Sequence, residues 1–251
     1  MNPAWEAFGT ELQRWSDAGR EVSFWWRDDD ATRADPALAR LLELAERARA
    51  PLALAVIPSG AEAGLFEAMC RMTTVIQHGA DHLNRAATGA KKSEFPEGAA
   101  VDDAIARISA ARERLARLAG ARMLPVLAPP WNRIDRALLP GLAGAGLRGL
   151  SQYGPRVAEF PAAGLRQVNT HVDIIDWRGS RGFAGEAAVL RMAEAHLTAR
   201  RTGRADPAEP TGWLTHHACH DGPAWDFLER LFEFTRGTPA VRWKAAAELF
   251  T

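Results

Sequence analysis

The stretch Val22-Ser-Phe-Trp-Trp-Arg-Asp-Asp-Asp-Ala31 sets three consecutive carboxylates directly after an apolar run. Residues 22–26 read as a strand, so Asp28, Asp29 and Asp30 fall at its end, where parallel α/β folds gather their chemistry. Adjacent acids repel one another, and a strand end holds them poorly unless a cation is near. A second segment, Gln77-His-Gly-Ala-Asp-His82, has the same setting, a strand over 73–77 delivering His78 and His82. On a helical turn, residues four apart share one face, so both imidazoles could reach one ion. A carboxylate with two neutral imidazoles suits zinc or a similar divalent ion. A spare carboxylate beside them could act as a general base, and together the segments point to metal-assisted hydrolysis.

Working outward, apolar runs alternate with helical patterns along the whole chain. Trp5, Phe8, Leu12 and Trp15 form one helical stripe that ends at Gly19. Asp35-Pro36 opens a helix through about residue 49, the aspartate as N-cap and the proline in the first turn. Further strands are expected at 52–57, 73–77, 124–127, 147–150, 167–172 and 213–215, with a last one near Val241. Helices are expected at 62–69, 101–118, 186–201 and 223–235, and an irregular one at 135–143 around Pro140. Residues 83–99 and 151–165 read as loops. About seven strands alternating with helices predict a single-domain α/β fold, a distorted (β/α) barrel of parallel strands. Residues 1–20 would form a helix packed on the barrel, and 21–251 the barrel itself.

Composition narrows the function classes. Of 251 residues, 47% are hydrophobic and 25% charged, and the formal net charge is zero, which argues against nucleic acid or an anionic membrane as partner. Cys70 and Cys219 are too few for a disulfide framework. The N-terminus shows no signal-peptide pattern and no apolar run is long enough to span a bilayer, so the expected location is cytoplasmic. Serine-hydrolase elbows, Walker loops and the zinc-deaminase cysteine pair are missing from the sequence.

Three more clusters follow strands. Ala128-Pro-Pro-Trp131 stiffens the end of the fourth strand. Asp173-Ile-Ile-Asp176-Trp177 adds two carboxylates, readable as caps or turn formers as well as functional groups. Leu214-Thr-His216-His217 leads to His220 and Asp221. Six of the seven histidines sit at strand ends; only His196 falls within a helix. A histidine of the last cluster suits a general acid near neutral pH.

Taken in order, these clusters resemble the polysaccharide deacetylases, the NodB-type carbohydrate esterases. That family carries Thr-Phe-Asp-Asp-Gly, His-Ser/Thr-x-x-His, Arg-Pro-Pro-Tyr, Asp-x-x-Asp-Trp and Leu-x-His. The resemblance spans residues 22–221 and implies one divalent metal ion, zinc as first choice, held by His78, His82 and an aspartate. Base and ligand would be Asp28 and Asp29, or Asp29 and Asp30; the small residue Ala31 after the pair favours Asp29 as base and Asp30 as ligand. His216 would protonate the departing amine, Leu214 would line the acyl pocket, and the backbone near Pro130 and Trp131 would complete an oxyanion site. Arg27, Asp28, Asp173, Asp176 and His217 would support these groups.

The chain departs from the family at Ala128, where the motif has arginine, and at Gly79, where it has serine or threonine. Arg27 or Arg133 is expected to supply the missing guanidinium. The implied activity is removal of an N-acyl group, acetyl by expectation, from an amino sugar in a polysaccharide or glycoconjugate. A hydrolase of non-sugar amides and an inactive glycan-binding barrel are the alternatives; oligomeric state is left open.

Overall fold

In the computed structural model, which describes residues 2–250, the chain builds one curled sheet in which every ladder is parallel. The strands are β1 (Val22–Ala31), β2 (Leu52–Val56), β3 (Thr73–His78), β4 (Met123–Ala128), β5 (Gly149–Leu150), β6 (Arg166–Gln167), β7 (Val172–Asp173), β8 (Thr211–Thr215) and β9 (Val241–Trp243). Their order is β6-β5-β4-β3-β2-β1-β8-β7, with β9 added against the start of β1. This is the expected distorted (β/α) barrel, opened into a half-barrel.

The expected strand over 167–172 divides in two, which raises the strand count above seven. Its start pairs with β5 and its end with β8. Between them the chain changes partner, Gly154 N–H donating to Thr170 O and His171 N–H to Gly212 O. A single extended stretch thus supplies both edges of the sheet and bridges the gap between them.

β1 is twice as long as its apolar run suggests, and the acids lie within it rather than after it. Side chains alternate across a strand. Phe24 and Trp26 join the core under the helices, whereas Trp25 faces the barrel interior with Ala53, Ile76, Val126 and Phe250. Both tryptophans are buried, so neither forms part of the cleft wall.

The helices are α1 (Pro3–Asp17), α2 (Pro36–Ala48), α3 (Ala63–Ala68), α4 (Val101–Ala119), α5 (Leu139–Leu142), α6 (Glu186–Arg201), α7 (Gly222–Arg236) and α8 (Ala246–Leu249). Around Pro140 the expected helix shortens to α5 and a preceding 3-10 turn. The α1 stripe is buried: Trp5 meets Phe227 of α7, and Phe8 meets Trp213 of β8. Burial of each such Phe or Leu side chain stabilises the fold by about 2 kcal/mol. Glu11, on the same buried face, is gripped by Arg201 of α6 at 2.7 and 3.1 Å and by Arg14 at 3.1 Å. No helix among the described residues is long and apolar enough to cross a membrane.

Candidate functional site

At the carboxyl ends of the strands lies a cleft of about 1080 Å3, walled by Asp29, Asp30, His78, His82, Trp131, Asp173, Trp177 and His216 among others. Five of the six non-glycine residues with positive φ among the described residues line it: Asp30 (71°), His82 (59°), Trp131 (55°), Asn132 (57°) and Arg181 (59°). Left-handed backbone is costly for such residues and persists only where the surroundings enforce it.

Each of the three aspartates goes a different way. Alternation puts Arg27 and Asp29 on the inner face, and Arg27 meets Asp29 at two points, Nε to Oδ1 at 2.9 Å and Nη2 to Oδ2 at 3.0 Å. The remaining Arg27 donors reach Asn132 Oδ1 at 2.6 Å, Ser151 Oγ at 2.7 Å and Ser151 O at 3.0 Å. Asp28 points outward. Its carboxylate accepts from Thr215 Oγ1 at 2.6 Å, His217 N–H at 3.0 Å and His217 Nδ1 at 2.5 Å. Burial opposes ionisation of Asp28, but the His217 charge and these bonds hold its pKa below the ordinary carboxylate value.

Regular alternation would send Asp30 outward with Asp28. Its left-handed φ and a register shift between Asp28 and Ala31 turn it into the cleft instead. Asp30 Oδ1 there lies 3.1 Å from His78 Nε2 and 3.2 Å from His82 Nε2. Burial works against its ionisation, yet the two imidazoles hold its pKa far below the usual range.

The histidines converge by a route other than the helical turn expected of them. His78 ends β3, and the chain then reverses at Gly79 with φ 63°. The N–H groups of Ala80, Asp81 and His82 donate to the Glu94 carboxylate at 2.9, 3.1 and 3.1 Å, which fixes the loop that presents His82. A Cβ at position 79 would collide with Glu94 Oε2 and lie 2.7 Å from the Pro130 ring, so only glycine fits. Glu94 carried no motif in the sequence, because its work is done on backbone groups.

His78 Nδ1 lies 2.9 Å from Ala128 O. A carbonyl can only accept, so Nδ1 carries a proton and Nε2 is the atom turned to Asp30. Burial works against a charged ring, but the Asp29 and Asp30 carboxylates outweigh it and raise the His78 pKa. Asp30 Oδ1 is buried without a hydrogen-bond partner and lies 3.1 Å from Nε2, an arrangement that a cation between them would satisfy. Asp30 Oδ1, His78 Nε2 and His82 Nε2 all lie within 4.8 Å of one another, so the donor set fits a divalent cation.

A second cluster, His171, His196 and Glu209, also brings three potential ligand atoms together in the core. Its tautomers argue against a metal. His171 Nδ1 accepts from Gly212 N–H at 3.0 Å, which puts the proton of the neutral ring on Nε2, the atom facing Glu209. The rings stack at 3.5 Å, and burial together with His171 and Arg200 pushes the His196 pKa down to about 2. His196 is thus a packed core histidine.

The other expected residues divide between cleft and scaffold. His216 lines the cleft, with Trp177 edge-on at 4.7 Å. Asp173 is held by Trp177 Nε1 at 2.8 Å; burial raises its pKa, the His216 charge opposing the shift. Asp176 lines the cleft too, but one of its oxygens accepts from Arg178 N–H and Gly179 N–H, making it a turn former. Arg133 reaches Lys92 O at 2.8 Å, leaving Arg27 as the guanidinium on Asp29. Leu214, expected to line an acyl pocket, is buried within the sheet; Leu214, Pro130 and His217 stand outside the cleft wall. Lys92, Asn132, Tyr153, Arg178 and Arg181 line it without having been singled out in the sequence.

No family model matches the sequence, and no curated protein matches it either. Solved structures do share the fold. A protein from Mycobacterium smegmatis assigned as a polysaccharide deacetylase superposes with a TM-score of 0.60 at 17% identity, covering 92% of this chain and 89% of the other. The peptidoglycan deacetylase PdaC from Bacillus subtilis gives 0.55 at 14% identity, with 92% and 90% covered. A family 4 acetyl xylan esterase from Clostridium thermocellum, solved with a cobalt ion, gives 0.50 at 14% identity, with 91% and 90% covered.

Proposed function

We propose that this chain is a metal-dependent hydrolase that removes an N-acyl group, acetyl by preference, from an amino sugar in a polysaccharide or glycoconjugate. The observation that carries the reading is the juxtaposition, in one cleft, of a three-donor set with an arginine-held carboxylate and a histidine. Its fold is shared with structures named as deacetylases of polysaccharide and peptidoglycan. A cobalt ion is present in one structure of the same fold.

In this reading Asp30, His78 and His82 hold one divalent ion, zinc as first choice. Such an ion, when bound, polarises an acyl carbonyl and makes water more acidic. Asp29 accepts the proton of the attacking water, and the two-point pair with Arg27 keeps its carboxylate from rotating away. His216 donates a proton to the departing amine. In the turn after β4, Asn132 and Arg133 N–H bond back to the Pro129 and Pro130 carbonyls. The Trp131 N–H has no such bond and serves as donor to the developing oxyanion.

The cleft favours a sugar over a small non-sugar amide. Its volume exceeds what a closed small-molecule pocket needs, and Trp131 and Trp177 offer indole faces on its wall. The test is acetate release from N-acetylglucosamine oligomers by zinc-loaded protein. Turnover that is lost in Asp29→Asn with zinc still bound supports the reading. Zinc binding without turnover of any N-acyl sugar would leave the glycan-binding barrel.

A further inference from the structure

The cleft wall carries four cations, Lys92, Arg133, Arg178 and Arg181, in a chain whose formal net charge is zero. All four are exposed. None has a carboxylate partner among the described residues: Arg133 donates to the Lys92 carbonyl, and Arg181 lies 5.6 Å from the Trp177 ring centroid. Many surface arginines elsewhere do have one, such as Arg47 with Glu229, Arg85 with Asp81, Arg230 with Glu186 and Arg242 with Glu248.

The acids of the same wall are already engaged. Asp29 is taken by Arg27, and Asp30 by the two imidazoles. Asp173 is tied to the Trp177 indole, with burial raising its pKa, and Asp176 is tied to backbone N–H groups of its own turn. The positive charge on the wall is therefore left for a ligand.

The cations come in two sets from different loops. Lys92 and Arg133 lie beside each other near Trp131, which packs on His82; Arg178 and Arg181 flank Trp177, which packs on His216. The loops that carry Arg133 and Arg178 follow β4 and β7, which lie on opposite sides of β1 in the strand order. We infer that the amino sugar taken by this cleft carries phosphate, as a sugar phosphomonoester or a pyrophosphate-linked glycoconjugate. The inference rests on the deacylase reading of the same site and names its substrate class. Two separate cation sets ask for more than one negative charge, which a phosphomonoester or a pyrophosphate link supplies and one carboxylate or one phosphodiester does not. Three of the four are arginines, whose planar donors match phosphate oxygens.

The test is calorimetric binding to zinc-loaded Asp29→Asn protein, comparing N-acetylglucosamine 1-phosphate with N-acetylglucosamine and N-acetylmuramic acid. The phosphorylated sugar is expected to bind roughly tenfold or more tighter than either, as charge-assisted bonds to phosphate allow. The preference should shrink with added salt and in the double variants Lys92→Gln/Arg133→Gln and Arg178→Gln/Arg181→Gln. Equal binding of the phosphorylated and plain sugars would overturn the inference. So would an equal preference for the carboxylate sugar, or a phosphate preference unchanged in both double variants, which would place the phosphate on the metal. Acetate release by wild-type protein from the neutral oligomers, measured in parallel, reads the deacylase function separately.

Discussion

Arg27 and Asp29, two residues apart on one strand, meet at 2.9 and 3.0 Å inside the mouth of the half-barrel. Strand alternation alone brings them to one face. The motif arginine before Pro-Pro is Ala128 in this chain, and a guanidinium from β1 itself stands against the acid. Arg27→Lys keeps the charge but loses the planar two-point contact, and the shorter reach abandons Ser151 or Asn132. We expect kcat to fall about 100-fold, the usual scale for misplacing a reacting group by an ångström. Steady-state kinetics beside a melting curve will separate this from unfolding.

Asp28 clasps the residues on either side of His216, taking the Thr215 hydroxyl and two donors of His217. Asp28→Asn removes an acceptor from that clasp without touching the three-donor set. The expected result is a drop in kcat of roughly tenfold or more with KM nearly unchanged, as for loss of orientation rather than binding. Zinc affinity, measured by competition with a chelator, should stay at the wild-type value.

Gly79→Ser restores the motif residue and is expected to do harm. The new side chain meets Glu94 and Pro130, and the backbone there has φ 63°. Displacing Glu94 frees the loop that presents His82, so zinc affinity should fall about 10- to 100-fold, the scale seen when groups supporting a ligand are lost. Chelator competition checks this; Glu94→Gln, which keeps the shape but weakens the acceptor, should fall between the two.

Acid should loosen α1. Burial opposes the charge on Glu11, but hydrogen bonds from Arg201 and Arg14 outweigh it and hold the folded-state pKa below 4.5. The unfolded state then binds the proton more readily. The stabilisation is complete above about pH 4.5 and is lost as pH falls toward the folded pKa. Glu11→Gln should be less stable than wild type at pH 7 by about 1 kcal/mol, and the gap in urea midpoints should narrow at pH 3.

Much of this site was readable in the chain because its residues follow strands. Asp30, His78 and His82 each stand beside a recognisable apolar run, and Arg27 stands next to the acids it serves. What stayed hidden acts through backbone or through distance. Glu94 binds three N–H groups, and the left-handed turn at Asp30 breaks the alternation that would pair it with Asp28. The two-residue strands β5, β6 and β7 are too short to show a period, so the change of partner over 168–171 was invisible. His171 and His196 meet only in the folded core.

The most direct test is anomalous diffraction at the zinc edge from crystals of zinc-loaded protein. One ion is expected, with Asp30 oxygen and the Nε2 atoms of His78 and His82 at about 2.0–2.2 Å and Asp29 free of it. An ion seated instead between His171, His196 and Glu209, or no ion held by Asp30 and the two cleft histidines, would contradict the proposed metal centre and the hydrolysis built on it.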